Sequence, residues 1–380
     1  MKKRFVLLVS IIAISLIVSV SALLLAKNAN NSPPANSSIA CKVIQENSGG
    51  INLVFFAAEE QAKKYSNYIL TVEPFANHKD KFSFYYITPG QFSPACEIYQ
   101  GIAILCQSSA LTKAASACPN DYIIVLGEEP SSIRSSAFKG VMSLNINHPL
   151  TVFAHEFAHV FDNFAEEYSS PGASIPRESE NCQKKCSDFK KFPENTENYG
   201  CFKECTNADY YREFENGFMR SLNANRYGGL DENLLNEKIL NQYRGKSDGN
   251  AITGKAISTA EDCANQQYYL VEQTEKGFVT TLETGCPNGA RTFGDSTFQV
   301  KDASGNTVVE TSVHSDILFT TDYNPELNGQ ITAVPQIIDT PIMFTIPATG
   351  KENSCKLVNA DGNTLYQTSL AEVGATPCKN

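Results

Sequence analysis

Three nearly continuous apolar runs stand out in the first third of the chain, at residues 51–56, 82–87 and 122–127. Runs of this length without polar alternation are typical of strands that are buried on both faces. The segment 57–72 that follows the first run has a helical pattern instead. Alternating buried strands and helices predict an α/β layer with a largely parallel sheet.

A helical period returns at residues 149–165. Pro149 suits the first turn of a helix, because proline lacks the N–H that this position leaves unpaired. Apolar residues then recur at helical spacing, namely Val152, Phe153, Phe157, Val160, Phe161 and Phe164. We predict two further helices at 207–223 and 231–244, and loops in the polar, cysteine-bearing segment between 166 and 206.

The pattern changes from about residue 265 onward. Short apolar runs alternate with turns rich in Asp, Asn, Gly and Pro, which is typical of an all-β sandwich. We therefore predict an α/β (α+β) domain over residues 41–250, followed by an immunoglobulin-like β-sandwich domain over 260–380.

The N-terminus predicts export. Three positive residues at positions 2–4 precede an uncharged apolar run over 5–26, long enough to cross a ~30 Å hydrocarbon core. We expect a single N-terminal transmembrane helix at 1–26, with the rest of the chain outside the cell membrane. A cleaved signal peptide is the alternative, given the small residues at 19–22. Residues 27–40 are rich in Asn, Ser and Pro and predict a linker.

Composition narrows the classes of function. The net charge is −10 and no basic stretch follows residue 5, which argues against a nucleic-acid partner. All twelve cysteines lie beyond the apolar run, and in an exported chain they predict disulfides. The CxxxC pairs at 182–186 and 201–205 could form two disulfides stapling a helical hairpin, or hold a second zinc ion. Nothing in the sequence indicates the oligomeric state.

The candidate chemistry lies in the sequence HEFAH at residues 155–159. Residues four apart share a helix face, so His155 and His159 can present two imidazoles to one zinc ion (Zn2+). Glu156 then flanks the metal, where its carboxylate can take a proton from a metal-activated water. The pattern predicts a zinc peptidase with Glu156 as general base.

Zinc requires a third protein ligand, and several glutamates are candidates. Glu166 and Glu167 follow the predicted helix, but a straight helix would carry Glu166 about 10 Å along the axis from His159. The helix must therefore end and fold back, and the Asp162-Asn163 pair is a plausible place because both residues tolerate a left-handed backbone. Glu213 or Glu215 from a later helix is a further alternative.

The stretch HEFAHVFDNFAEEY at 155–168 resembles the HEFGHxxxGLADEY signature of the IgA-peptidase family of zinc metallopeptidases, which belong to the metzincin clan. YREFENGFMRSLN at 211–223 is similar to the family's YRPxxNxxMRS segment. The likeness extends over about residues 48–245. It implies an α/β zincin-like catalytic domain that hydrolyses peptide bonds.

The resemblance also implies roles for individual residues. His155 and His159 match zinc ligands, Glu156 the general base and Glu166 the aspartate of the ADEY motif, with Glu167 as the rival ligand. In the second segment Met219 matches the methionine of the turn beneath the metal, and Arg220 the arginine beside it. Two departures concern the bend. Asp162 and Asn163 stand where the clan and family patterns have glycine, and Ala165 stands where the related HExxHxxGxxH pattern has a third histidine.

Two functions of different classes follow. The first is an extracytoplasmic zinc-dependent endopeptidase that acts on a protein or peptide substrate. The second is a non-catalytic surface adhesin or binding protein that retains a metallopeptidase fold, suggested by the altered bend and the β-rich tail. The intact His155, Glu156 and His159 favour the first, because a binding protein needs none of them.

Overall fold

A computed structural model describes residues 39–170, 172–192, 199–247, 260–275, 277–289, 294, 296–313, 316–350, 354–359 and 362–369. Within these ranges no helix has the length and apolar character needed to cross a membrane. The transmembrane helix predicted at 1–26 lies outside the described residues, as does nearly all of the linker. Residues from Ala40 to the C-terminus cluster into one compact unit.

Strands outnumber helices in the described part of the chain. The α-helices are α1 Glu59–Ile69, α2 Ser109–Ala115, α3 Thr151–Asp162, α4 Gly229–Ser247 and α5 Ala260–Cys263. Short 3-10 helices occupy Phe75–Lys81, Cys186–Asp188 and Pro325–Leu327. The strands are β1 Lys42–Gln45, β2 Ile51–Phe56, β3 Phe82–Ile87, β4 Glu97–Tyr99, β5 Ala103–Leu105, β6 Tyr122–Gly127, β7 Ser135–Phe138, β8 Val141–Asn145, β9 Phe202–Cys205, β10 Asn207–Arg212, β11 Gln267–Thr274, β12 Gly277–Thr284, β13 Ser296–Lys301, β14 Thr307–Val313, β15 Ile317–Thr321, β16 Gln336–Ile337, β17 Met343–Pro347, β18 Ser354–Asn359 and β19 Thr364–Ser369.

The largest sheet has eight strands in the order β1-β3-β2-β6-β8-β7-β15-β16. Its four central strands, β3, β2, β6 and β8, are parallel to one another. The flanking strands β1, β7, β15 and β16 are antiparallel to theirs. The three apolar runs at 51–56, 82–87 and 122–127 are confirmed as β2, β3 and β6, because strands buried on both faces need no polar alternation.

Helix α3 packs on this sheet through aromatic side chains. Phe153, Phe157 and Phe161 recur every four residues and form one face of the helix. They contact Phe55 of β2 and Tyr122 of β6, with ring centroids 5.4–6.1 Å apart. Burying each such ring contributes roughly 1.5–3 kcal/mol. The sheet therefore fixes the rotation of α3 about its axis, and with it the direction of the opposite face.

The predicted fold class, an α/β domain followed by a separate immunoglobulin-like sandwich, is wrong. The described chain is a single mixed α/β structure made mostly of strands, and the tail contributes β15 and β16 to the large sheet. The physical reason lies in β7, a fully buried antiparallel strand whose outer edge needs hydrogen-bond partners. The apolar run of β15 supplies them. Sequence pattern shows that a run is a strand, but not which sheet it joins.

The rest of the tail forms two smaller sheets, β12-β11-β17 and β14-β13-β18-β19. They share a core that includes Val271, Phe298, Val309, Phe344 and Leu357. This part is tied to the first half of the chain as well, since the Cys286 N–H donates to the Ser116 carbonyl at 2.7 Å.

The predicted helix at 207–223 is also wrong. Residues 207–212 are strand β10, which pairs with β9 in a hairpin, and turns follow. Two disulfides, Cys182–Cys205 and Cys186–Cys201, bridge the two CxxxC motifs. They tie the segment 182–186 to the chain at β9, so these cysteines neither join two helices nor hold a second zinc ion. Three further disulfides join Cys41–Cys118, Cys96–Cys106 and Cys263–Cys286.

Candidate metal centre

The HEFAH motif lies in the middle of α3, and its Glu156 and His159 contact strand β15 of the large sheet rather than β2 and β6. His155 and Glu156 are fully buried, and His159 is 4% exposed. The two imidazole rings lie side by side, with their Nε2 atoms 3.1 Å apart. The i, i+4 spacing thus brings both nitrogens to one point, as the sequence predicts.

Asn163 turns the chain back toward these histidines. Helix α3 ends at Asp162, and Asn163 caps it in the left-handed conformation, with φ 55° and ψ 35°. Asparagine adopts this conformation at lower cost than most side chains, which lets it replace the glycine expected at the bend. Its side-chain amide donates to the carbonyl of Arg177 and holds the turn.

The reversed chain places Glu166 opposite the two rings. Its Oε2 lies 3.2 Å from His155 Nε2 and its Oε1 lies 3.3 Å from His159 Nε2. Single ligand atoms of the three residues fall within 4.8 Å of one another. Among the candidates for a third ligand, Glu166 is therefore the carboxylate that the structure brings to the histidines.

Hydrogen bonds on the far side of each ring determine what the Nε2 atoms can do. His155 Nδ1 lies 2.8 Å from the Phe218 carbonyl, and His159 Nδ1 lies 2.6 Å from the Phe164 carbonyl. A carbonyl only accepts, so both Nδ1 atoms carry the proton and donate. In neutral rings both Nε2 atoms then present lone pairs, facing each other and a carboxylate. Such a cluster of acceptors fits a cation, and two imidazoles with one carboxylate suit zinc.

The pKa values of His155 and Glu166 also indicate that the site attracts positive charge. Burial lowers the pKa of His155, but the adjacent Glu166 carboxylate outweighs this effect and raises it to about 9. Burial raises the pKa of Glu166, yet the two histidines dominate and lower it to about 2. Without a metal, the cluster therefore holds a proton in the place where a cation fits.

The segment 218–220 holds His155 and the loop of Glu166 in place through hydrogen bonds. The Phe218 carbonyl orients His155, as described above, and the carbonyl of fully buried Met219 accepts the N–H of Glu167 at 3.0 Å. Arg220 Nη1 donates to the Glu167 carbonyl at 2.9 Å. Met219 and Arg220 thus lie directly beneath the loop that carries Glu166, and they fix its backbone.

Glu156 lies beside the histidines under a cover supplied by the tail. Its Oε1 accepts a 2.6 Å hydrogen bond from the hydroxyl of Thr321 on β15. Its Oε2 is buried and makes no hydrogen bond. Burial raises the pKa of Glu156, while the two histidines and Thr321 act in the opposite direction. On the same strand the ring of Phe319 stacks on His159, with centroids 3.9 Å apart and planes within 11°.

The other candidates lie elsewhere. Glu167 is buried in a second group of carboxyl groups with Glu213 and Asp231. Burial, the largest cause, and the charge of Glu213 raise the pKa of Glu167 to about 8, while a hydrogen bond with Asp231 acts in the opposite direction. Glu213 Oε1 accepts the N–H of Leu230, and Glu215 is exposed. Neither Glu167 nor the two later glutamates therefore face the histidines.

Sequence reasoning missed the tail residues Phe319 and Thr321, and no local signal could have found them across more than 150 positions. It also overlooked Tyr168. Burial is the main cause that raises the pKa of the Tyr168 hydroxyl, and the nearby Glu166 carboxylate raises it further. Two other tyrosines near the site have structural contacts. Tyr227 donates to the Ala154 carbonyl in the core, and the backbone of Tyr211 pairs with Gln183.

Chemically, the site combines two imidazoles whose Nδ1 atoms donate to carbonyls, one ionised carboxylate and one buried carboxylate with a free oxygen. The first three can hold a divalent cation, and the last can accept a proton from a molecule bound beside it. This arrangement suits hydrolysis that uses metal-activated water. Comparison of the chain with protein-family models and with curated proteins finds no match.

Proposed function

We propose that this protein is a zinc-dependent endopeptidase, with His155, His159 and Glu166 as the zinc ligands. One observation carries the proposal. Both histidines donate through Nδ1 to backbone carbonyls, so that three sets of lone pairs converge on a single buried point. Convergent acceptors at a buried point are costly unless a proton or a metal cation binds there.

The chemistry would divide between the metal and Glu156. A bound zinc ion supplies a Lewis acid and lowers the pKa of a water molecule to about 7. The Oε2 atom of Glu156, which makes no hydrogen bond in the fold, accepts the proton of the attacking water. The same carboxyl group then passes this proton to the leaving amine, so the enzyme ends the cycle in its starting protonation state.

The resemblance to the IgA-peptidase family agrees with this assignment, because its motif residues coincide with the site. Met219 and Arg220 act as positioning residues that hold the backbone of the Glu166 loop. A peptide bond is the proposed target. Nothing in the site singles out IgA.

An extracytoplasmic location belongs to the same proposal. Five disulfides join cysteines throughout the described chain, and such bonds persist in oxidising compartments.

Metal analysis is the first test. We expect one zinc ion per purified chain in the wild type and none in His159→Ala, measured by elemental analysis. Glu156→Gln should retain zinc but lose at least about a hundredfold in peptide hydrolysis, because the amide cannot accept the proton. Wild-type turnover by Glu156→Gln, or hydrolysis by zinc-free protein, would contradict the mechanism.

The second candidate function is a binding protein without catalysis. The observation that favours it is the complete enclosure of Glu156, His155 and Glu166, each 0% exposed. A folded wild-type chain that binds no zinc when zinc is supplied would support this alternative. Zinc-dependent peptide cleavage that is lost in Glu156→Gln would reject it.

A further inference from the structure

None of the reacting groups of the proposed peptidase is accessible in this conformation. His155, Glu156 and Glu166 are 0% exposed and His159 is 4% exposed. A peptide bond must come within contact distance of a general base before proton transfer can occur. Some element must therefore move before a substrate can reach the site.

Strand β15 is the element that covers the site. Side chains alternate between the two faces of a strand, so Phe319 and Thr321 point the same way and Thr320 points the other way. Phe319 stacks on the ligand His159, and Thr321 donates to the base Glu156. Both groups on which the proposed chemistry depends are thus in contact with one short segment of the chain's own tail.

The pairing of β15 is equally specific. It runs antiparallel to β7, with Phe319 opposite Ala137, Thr320 opposite Ser136 and Thr321 opposite Ser135. Without β15, β7 would be the edge of the large sheet next to the site. Extended peptides commonly bind proteins by adding a strand to such an edge through main-chain hydrogen bonds. In this fold β15 already uses the edge.

We propose that β15 is an autoinhibitory strand that takes the place of an extended polypeptide substrate on β7. The inference rests on the proposed peptidase function and deepens it. The substrate is an extended, unfolded segment that pairs with β7 once β15 has left. The chain as folded is latent, and cleavage requires β15 to be displaced.

The contacts of β15 are strong enough for latency and few enough for displacement. Leu318 is fully buried against Leu105, Phe138 and Ile338. At its start, Lys139 forms a 2.7 Å ion pair with Asp316. The strand pairs with β7 over three residues, however, and with β16 over only two. A substrate segment that offers the same main-chain bonds to β7 can therefore compete with it.

The test compares single substitutions in zinc-loaded full-length protein, with fluorescein-labelled casein as an unfolded substrate. Phe319→Ala and Thr321→Ala each remove one contact that covers the site, and we expect each to raise the cleavage rate by about tenfold. Thr320→Ala is the matched control, because its side chain lies on the other face of the same strand. It should stay within about twofold of wild type.

A synthetic peptide with the sequence of residues 316–323, DILFTTDY, supplies a second measurement. Added to the Phe319→Ala variant, it should inhibit casein cleavage competitively, whereas a scrambled peptide of the same composition should not. Lower activity in both variants would overturn the proposal and make Phe319 and Thr321 positioning residues of an open site. Equal inhibition by the scrambled peptide would also overturn it.

Access to His159 can be measured independently of zinc and of activity. In metal-free protein, diethyl pyrocarbonate should modify His159 about tenfold faster in Phe319→Ala than in wild type or Thr320→Ala, by peptide mass mapping. Rapid modification of the wild type would show that the site is open and would sink the inhibitory role of β15. If the modification rates follow the prediction but neither the wild type nor the variants bind zinc, the proposed peptidase function fails, whereas the conclusion that β15 covers the site is kept.

Discussion

The affinity of the proposed metal centre for a cation depends on where the ring protons of two histidines lie. His155 and His159 each donate their Nδ1–H to a backbone carbonyl, that of Phe218 and that of Phe164 respectively. The remaining lone pairs of both rings then face Glu166. Without these carbonyls, even neutral rings could carry their proton on Nε2 and donate it to the carboxylate, which would weaken the attraction for a metal.

Substituting the third ligand separates the two adjacent glutamates. Glu166→Gln should lower zinc affinity by at least about a hundredfold, since a charged ligand is lost. Glu167→Gln should change affinity less than about tenfold, because burial and Glu213 raise the pKa of Glu167 to about 8 and leave it largely protonated at pH 7. Competition with a chelating dye measures both values. Equal losses would mean that Glu167 is a ligand.

Asp162 gives a prediction on pH. Burial is the main cause that raises its pKa to about 7, with Glu180 and Glu237 raising it further while Lys238 and Lys190 lower it. A carboxyl group with a raised folded-state pKa destabilises the fold as pH rises from about 4 to about 7. Asp162→Asn should therefore match wild type at pH 4 and be more stable at pH 8, by about 1–2 kcal/mol after allowance for partial exposure.

Urea unfolding at pH 4, 6 and 8 measures this difference in both proteins. A stability gap that is independent of pH would contradict the assignment, because it would not come from ionisation.

At the scale of elements, the end of α3 decides whether the proposed metal ligands come together at all. A straight continuation would carry Glu166 away from His159, whereas the left-handed residue Asn163 reverses the chain within one turn. The returning loop is then fixed by hydrogen bonds to its backbone. Ala165 N–H donates to the side chains of Ser179 and Asn181, and Glu167 N–H to Met219.

Substitutions at Asn163 should follow the cost of the left-handed conformation. Asn163→Gly should keep stability within about 1 kcal/mol of wild type, because glycine adopts positive φ freely and only the bond to Arg177 is lost. Asn163→Val should cost about 2 kcal/mol or more and weaken zinc binding, since a β-branched residue is strained there. Thermal unfolding and metal content test both variants. Wild-type stability and zinc content in Asn163→Val would contradict the importance of this bend.

For the whole molecule, disulfides hold distant parts of the chain around the site. Cys182–Cys205 packs against Ala165, and Cys182 Sγ lies 3.6 Å from the Glu166 carbonyl. Cys263–Cys286 closes a loop of the same sequence separation, 23 residues, and lies in a separate part of the fold. The first bond acts on the ligand loop, and the second on the tail.

Because the two loops are equal in length, replacing either pair by alanines should reduce stability by a similar amount, about 2–4 kcal/mol. Only loss of Cys182–Cys205 should also lower zinc affinity, by about tenfold, because the Glu166 loop loses its support. Calorimetry and metal titration separate the two effects. An equal change in zinc affinity for both double variants would refute the local role.

The two CxxxC motifs show how much the spacing of cysteines can predict by itself. The sequence left disulfides and a structural zinc ion open, because four cysteines at these distances suit either. The tertiary structure alone shows that they pair across the two motifs, Cys182 with Cys205 and Cys186 with Cys201. The helix predicted at 207–223 failed for a related reason, since pairing with β9 overrode its local pattern.

Taken by itself, the sequence determined the features that depend on near neighbours. Uninterrupted apolar runs specified β2, β3 and β6, and the spacing of His155 and His159 specified a shared helix face, because both follow from the periods of strand and helix. The tertiary structure alone decided that Glu166 meets the histidines, through the reversal at Asn163. It alone brought β15 onto β7 and over Glu156. Contacts between residues far apart in sequence depend on which surfaces find complementary partners, and no local period encodes that choice.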